Sequence, residues 1–314
     1  MSYQTRKSRG SDYKGEVLNK WHASTAEKPL APEQLIIDAH HHLWDRCRIS
    51  GHAENVPTHA RYMADELFDD IASSGHRVID TVYVECLSMY NQTVSEDNAT
   101  PSIGEIEFVQ GIAAQAKSNL YGNHLRCCGA ILGFVDLTQD AIKVGADLDR
   151  MLQSGRNFRG IRQAHGFHIS KDIPANHHPT RNIEHLLSDT KFRAGFQELA
   201  KRNLVFDAWG YHFQLKELLE LAQAFPKTII IIDHLGGPIS VGKYSSEGER
   251  CIAYMESTVV DISIHPPSFK LVPLSSPRSP LSKTPKHVIF LTLSTFCHFY
   301  HTITLFIKFY FFSF

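Results

Sequence analysis

The stretch Ile36-Ile-Asp-Ala-His-His-His-Leu-Trp-Asp45 places three consecutive histidines directly after a short apolar run that begins at Leu35. Side chains at positions i and i+2 of a strand project to the same side, so the spacing predicts that His40 and His42 face one site while His41 points away. Imidazole is the commonest neutral metal ligand, and two on one strand form a ready chelate. The stretch therefore predicts a metal or acid–base site at the end of a first strand. A surface histidine cluster is the alternative.

Further short apolar runs of the kind expected for buried strands recur along the chain: Val78–Val84, Ala130–Val135, Phe158–Ile161, Val205–Ala208 and Thr228–Asp233. Segments with helical spacing lie between them, including an apolar stripe over 106–116 and another over 215–225. This alternation predicts βαβ units and a parallel sheet. No glycine-rich dinucleotide loop follows the first strand. The pattern therefore favours an α/β fold of the (β/α)8 TIM-barrel type, with its chemistry at the carboxyl ends of the strands.

Composition narrows the class of protein. The chain has 314 residues, a net charge of −1 and 19 histidines. A near-neutral charge gives no support for nucleic-acid binding. The 6 cysteines form no CxxC pair, which argues against a disulfide framework. The polar first 20 residues lack the apolar segment of a signal peptide. We therefore expect a cytoplasmic location.

The chain is predicted to divide into three parts. Residues 1–33 are polar and form a flexible arm, and residues 34–262 form the barrel, which is truncated after about strand six. Residues 263–314 form an unrelated tail that has no Asp or Glu and is first proline-rich and then hydrophobic. The stretch His287–Phe314 is long enough to span a bilayer, so it is either a membrane anchor or translated non-coding sequence; an unusual soluble end is a third possibility.

Two further segments carry candidate site residues. His234 follows the apolar run Thr228–Asp233 and precedes Gly-Gly-Pro, which places it at a strand end where barrel enzymes hold functional residues. Arg162 lies at the end of the run that begins at Phe158, where its guanidinium could hold a carboxylate or lactone oxygen. A locally capped histidine and a structural ion pair are the respective alternatives. Other strand ends supply candidate pocket-wall residues: Glu85, Trp209 and His212.

Covalent catalysis has no candidate in the sequence. It contains no GxSxG elbow, and we expect no cysteine to lie beside a plausible histidine–acid pair. An activated water molecule is therefore the expected nucleophile.

These segments resemble the amidohydrolase-related TIM-barrel hydrolases, in the branch that contains L-fuconolactonase and 2-pyrone-4,6-dicarboxylate lactonase. The resemblance spans about 200 residues and rests on six stretches: IIDAHHHLWD (36–45), TVYVEC (81–86), GAILGFVDL (129–137), FRGIRQ (158–163), LVFDAWGYHFQLKELLELAQAFP (204–226) and IIIIDHLGGP (229–238). It implies a catalytic and metal-binding set of His40, His42 and His234. It also implies substrate contacts from Arg162 and a pocket wall from Trp44.

The reaction that the resemblance implies is ring opening of a small lactone or related carboxylate by activated water, with a divalent metal ion (Zn²⁺ or Mn²⁺) as a possible cofactor. The sequence departs from the family after Asp261, because the aspartate that acts as base at strand eight has no counterpart. A truncated product that is inactive or membrane-tethered is therefore one alternative. A decarboxylase of the same superfamily is another.

Overall fold

The computed structural model of the chain describes residues 20, 23–24, 26–45, 61–92, 100–122, 125–173, 175–246 and 289–291. The chain forms two compact units. The first unit contains residues 1–89, 111–129 and 279–314, and the second contains residues 90–110 and 130–278.

The described strands are β1 (Leu35–His41), β2 (Trp44–Asp45), β3 (Arg61–Tyr62), β4 (Arg77–Val84), β5 (Ala130–Gly133), β6 (Phe158–Arg162), β7 (Val205–Ala208), β8 (Ile230–Ile232) and β9 (Ile289–Leu291). The described α-helices are α1 (Ala64–Ser73), α2 (Ile103–Lys117), α3 (Ala141–Ser154), α4 (Thr190–Lys201) and α5 (Leu215–Ala224). Short 3-10 turns cover Leu186–Ser188, His212–Gln214, Asp233–Gly236 and Gly242–Tyr244.

The first unit is built around β1, which pairs in parallel with β4 on one side and β9 on the other. Ile36 lies opposite Val78 in β4 and opposite Ile289 in β9. The antiparallel pair β2–β3 follows β1 in the chain. Strand β9 belongs to the stretch 263–314, so three residues of the predicted tail lie beside the first strand.

In the second unit β5, β6, β7 and β8 pair in parallel in chain order. Gly160 of β6 lies opposite Val205, and a Cβ at Gly160 would come within 2.2 Å of the Val205 carbonyl oxygen. Glycine is therefore required where these two strands approach most closely. Apolar side chains of α4 cover the sheet, and the ring centroids of Phe196 and Phe206 lie 5.2 Å apart.

In the described residues before 233, six strands run in parallel pairings, and each of the first five is followed by an α-helix before the next of the six begins. The predicted alternation of parallel strands and helices, that of a (β/α) barrel, is confirmed up to strand six. In the described residues no helix combines the length and apolarity that a bilayer crossing requires. Apart from residues 289–291, the stretch proposed as a membrane anchor lies outside the described residues.

Candidate active site

His40 and His42 converge at the carboxyl end of β1. Their Nε2 atoms lie 3.1 Å apart. Nδ1 of His42 lies 2.7 Å from the backbone carbonyl of Val84, at the end of β4. A carbonyl oxygen only accepts hydrogen bonds, so Nδ1 must carry the proton and Nε2 must carry the lone pair in neutral His42. The neighbouring strand thus holds His42 in the tautomer that a metal ligand needs.

The spacing of the two imidazoles fits a shared cation. Tetrahedral Zn²⁺ with bonds of about 2.0–2.1 Å places two nitrogen ligands about 3.3 Å apart. The 3.1 Å between His40 and His42 is close to that value. The Asp38 carboxylate accepts a hydrogen bond from the backbone N–H of His40 at 3.2 Å and so fixes the turn of the chain at the strand end. Burial raises the pKa of Asp38, an effect that the charges of His41 and His40 oppose.

Two of the predicted pocket-wall residues lie in the same unit. Trp44 stacks on His42, with ring centroids 5.8 Å apart and planes inclined by 28°. Glu85 directly follows β4 and is fully buried. The structure therefore brings Trp44 to the histidine pair, whereas substrate contact by Trp44 or Glu85 stays a prediction.

The second unit groups Arg162, Asp233 and His234. Arg162 ends β6 and is only 3% exposed, and its Nη1 lies 3.4 Å from the Asp233 carboxylate. His234 lies in the 3-10 turn after β8 at φ 47°, with Nδ1 3.3 Å from Asp233. Arg162 thus makes the structural ion pair that was the alternative to substrate binding. That this group meets the His40–His42 pair in one pocket stays a prediction.

Trp209 and His212 are held by contacts with their own unit. His212 is buried, donates its backbone N–H to the Gly237 carbonyl at 3.2 Å and accepts the N–H of Ile239 on Nδ1 at 3.4 Å. Trp209 is half-buried and packs against Tyr211, with ring centroids 5.5 Å apart. These contacts tie the loop after β7 to the segment after His234. The substrate-binding roles of Trp209 and His212 stay predictions.

Two buried histidines after β6 were not singled out by the sequence analysis. His178 is fully buried and accepts the backbone N–H of Ala164 on Nδ1 at 2.7 Å. His165 is 3% exposed, and burial lowers its pKa to about 4, so it is neutral at physiological pH. The only sequence signal for His165 was its position three residues beyond the end of β6, which does not distinguish it from a surface histidine.

The structure places two cysteines beside His41. Cys128 Sγ lies 3.8 Å from Nε2 of His41 and 3.3 Å from Sγ of Cys127. The hydrogen bond from Cys128 lowers the pKa of the Cys127 thiol, as does His41, while burial raises the pKa of Cys128. The sequence analysis did not single out this group, because His41 and Cys128 are 87 residues apart in the chain. Among the described residues, cysteines 86, 127 and 128 are not in disulfide bonds.

Comparison with known proteins places the chain in a family. The family model described as Amidohydrolase matches residues 37–290. The chain is 29% identical over 226 residues to the uncharacterized protein y4mH of Sinorhizobium fredii, a match that covers 68% of this chain and 66% of that protein.

Solved structures of similar proteins include an amidohydrolase from Burkholderia multivorans with bound zinc. It is 18% identical with a TM-score of 0.45, over 72% of this chain and 66% of that one. A probable 2-pyrone-4,6-dicarboxylic acid hydrolase from Acinetobacter baumannii with citric acid bound is 13% identical with a TM-score of 0.43, over 72% and 66%. The chain thus spans just under two thirds of the length of these relatives. The family match covers most of the sequence, includes the histidine-rich first strand and agrees with the predicted family: the chain belongs to the amidohydrolase family.

Proposed function

We propose that the protein is a metal-assisted hydrolase that opens a small lactone, of the sugar-lactone or pyrone-dicarboxylate type, with water as the nucleophile. One observation carries the proposal: the Nε2 atoms of His40 and His42 lie 3.1 Å apart, and the carbonyl of Val84 favours the His42 tautomer whose Nε2 carries the lone pair that a cation would bind. Membership of the amidohydrolase family supports a hydrolase.

The chain's own residues suit this chemistry. His40 and His42 would hold a divalent cation such as Zn²⁺ or Mn²⁺, and Trp44 would shield one face of the His42 ring from water. When bound, the cation supplies Lewis-acid polarisation of the substrate carbonyl and of water.

His234 is the third residue of the proposed set, as metal ligand or as a donor to the carbonyl oxygen. The Asp233 carboxylate lies 3.3 Å from Nδ1 of His234 and would orient the imidazole, whose other nitrogen could bind a metal ion or donate to a developing oxyanion. The buried pair of Arg162 with Asp233 fixes that carboxylate in place. Arg162 also stays in the proposed substrate-binding set, with Glu85, Trp209 and His212, because a guanidinium has five N–H donors and can serve a carboxylate and a substrate oxygen together.

The setting of the activity is proposed on the same basis. The substrate would be a small molecule rather than a nucleic acid, and the location cytoplasmic, with a membrane contact only through a 287–314 anchor. The division into an arm (1–33), a barrel (34–262) and a tail (263–314) stays part of the proposal. The family match continues to residue 290 and so includes part of that tail.

The proposal is tested by incubating the purified chain with Zn²⁺ or Mn²⁺ and a panel of sugar lactones and pyrone dicarboxylates. A parallel panel of aromatic carboxylates tests for decarboxylation. Ring opening that is lost in His42→Ala and kept in His76→Ala, a change at an exposed histidine, would support the proposal. Release of carbon dioxide from the aromatic acids would favour the decarboxylase instead. Metal binding without turnover on either panel would indicate an inactive product.

A further inference from the structure

We propose that His41, Cys127 and Cys128 form a second cation site, selective for soft divalent ions such as Zn²⁺ and Cd²⁺. The three side chains lie within the first unit, and the inference does not depend on the proposed hydrolase function. Because side chains alternate along a strand, His41 projects to the face of β1 opposite to His40 and His42. The two sites therefore share a strand but no ligand.

The donor atoms are already grouped at nearly bonding geometry. Sγ of Cys127 and Sγ of Cys128 lie 3.3 Å apart, Sγ of Cys128 lies 3.8 Å from Nε2 of His41, and all three donors fall within 4.8 Å of one another. Tetrahedral Zn²⁺ with standard bond lengths separates two sulfur ligands by about 3.8 Å and sulfur from nitrogen by about 3.6 Å. Cation binding would need the two sulfur atoms to move apart by only about 0.5 Å.

The backbone explains how two adjacent cysteines face the same side. Neighbouring residues in an extended chain point in opposite directions, but Cys128 has φ 55° and so turns out of the extended conformation. The hydroxyl of Thr81 accepts the backbone N–H of Cys128 at 2.9 Å and holds this turn. A left-handed conformation is unfavourable for a residue with a Cβ. The turn that brings the two thiols together therefore lowers the stability of the folded chain.

Burial and chemistry favour a soft cation. His41 is 7% exposed, Cys127 2% and Cys128 not at all. Nε2 of His41, the proposed ligand atom, lies 2.9 Å from the Thr81 hydroxyl, and a bound cation would replace that contact. Thiolate and imidazole ligands select Zn²⁺, Cd²⁺ or Cu⁺ over Mg²⁺ and Ca²⁺.

The test is a titration of the full, reduced chain with Cd²⁺, followed by the thiolate-to-metal charge-transfer absorption in the ultraviolet. The His40–His42 pair contains no sulfur, so cadmium bound there gives no thiolate absorption band. We expect a band that saturates at one equivalent, and we expect Cys127→Ser and Cys128→Ser to weaken Cd²⁺ binding at least tenfold. Cys86→Ser is the matched control, because the Cys86 thiol is not in a disulfide and lies outside the cluster, and this substitution should leave the titration unchanged.

Absence of the band in the unmodified chain would overturn the proposal, as would a band that survives both substitutions. X-ray absorption at the cadmium edge of the unmodified chain gives an independent answer if either variant fails to fold. Two sulfur neighbours and one imidazole nitrogen are expected there. A coordination sphere of oxygen and nitrogen alone would refute the site.

Discussion

Replacement of Arg162 by methionine should strongly destabilise the second unit. Its Nη1 lies 3.4 Å from the Asp233 carboxylate, and the two side chains are 4% and 1% exposed. At the 3.4 Å of this pair the Coulomb attraction is about 5 kcal/mol for an effective dielectric constant of about 20, before the desolvation of both ions is subtracted. Methionine has similar length but leaves the Asp233 charge buried and without its cation. Loss of one partner from a buried pair costs about 3–5 kcal/mol, which is the expected fall in the free energy of unfolding.

The assay is urea unfolding followed by circular dichroism, with Arg159→Met as the matched control on the same strand. Arg159 is half-buried and donates to the backbone carbonyls of Arg156 at 2.7 Å and Phe158 at 2.8 Å. Its loss should cost only about 1 kcal/mol. The double variant Arg162→Met, Asp233→Asn should recover part of the stability, because no unpaired charge is then buried. Equal losses for Arg162→Met and Arg159→Met would refute the buried ion pair.

The remaining predictions concern one buried histidine and two glycines. Burial lowers the pKa of His165 from 6.5 to about 4, so the unfolded chain takes up the proton first and stability falls as pH drops below the unfolded pKa. Between about pH 7 and about pH 5 this contributes a loss of about 2 kcal/mol. His165→Gln should remove that part of the pH dependence in urea unfolding, and parallel pH profiles of the two proteins would contradict this. Gly160→Ala should lower the free energy of unfolding by about 1–3 kcal/mol, because the new Cβ meets the Val205 carbonyl. Gly111→Ala lies in a helix with open space around it and should raise the free energy of unfolding by about 0.5–1 kcal/mol. Equal melting temperatures for the two alanine variants would show that β6 and β7 can move apart at no cost.

The order of strands and helices could be predicted from local pattern alone. Each apolar run overlaps an observed strand, and the stripe over 106–116 lies inside α2. Strand ends were less certain: the run Ala130–Val135 is in strand only to Gly133, and Thr228–Asp233 only over Ile230–Ile232. Burial on both faces gives a strand its apolar run, but hydrogen bonding to its neighbours decides where it ends.

The site could be predicted only where its geometry is local. The i, i+2 spacing of His40 and His42 was sufficient to place both imidazoles together, because strand alternation fixes it. The carbonyl of Val84 that orients His42 lies 42 residues away in sequence, and the partner of Arg162 lies 71 residues away. Such contacts join strands that are far apart in sequence, so a pattern within one strand does not reveal them.

The central claim is that the two imidazoles of the first strand hold a catalytic cation. Equilibrium dialysis against Zn²⁺ tests it directly. All the proteins compared carry Cys127→Ser and Cys128→Ser, which removes thiolate binding. His42→Ala and His76→Ala are each compared with this background. In that background we expect one zinc ion to bind. Its affinity should fall at least about tenfold in His42→Ala and stay unchanged in His76→Ala. Zinc binding of equal affinity in all three proteins would contradict it.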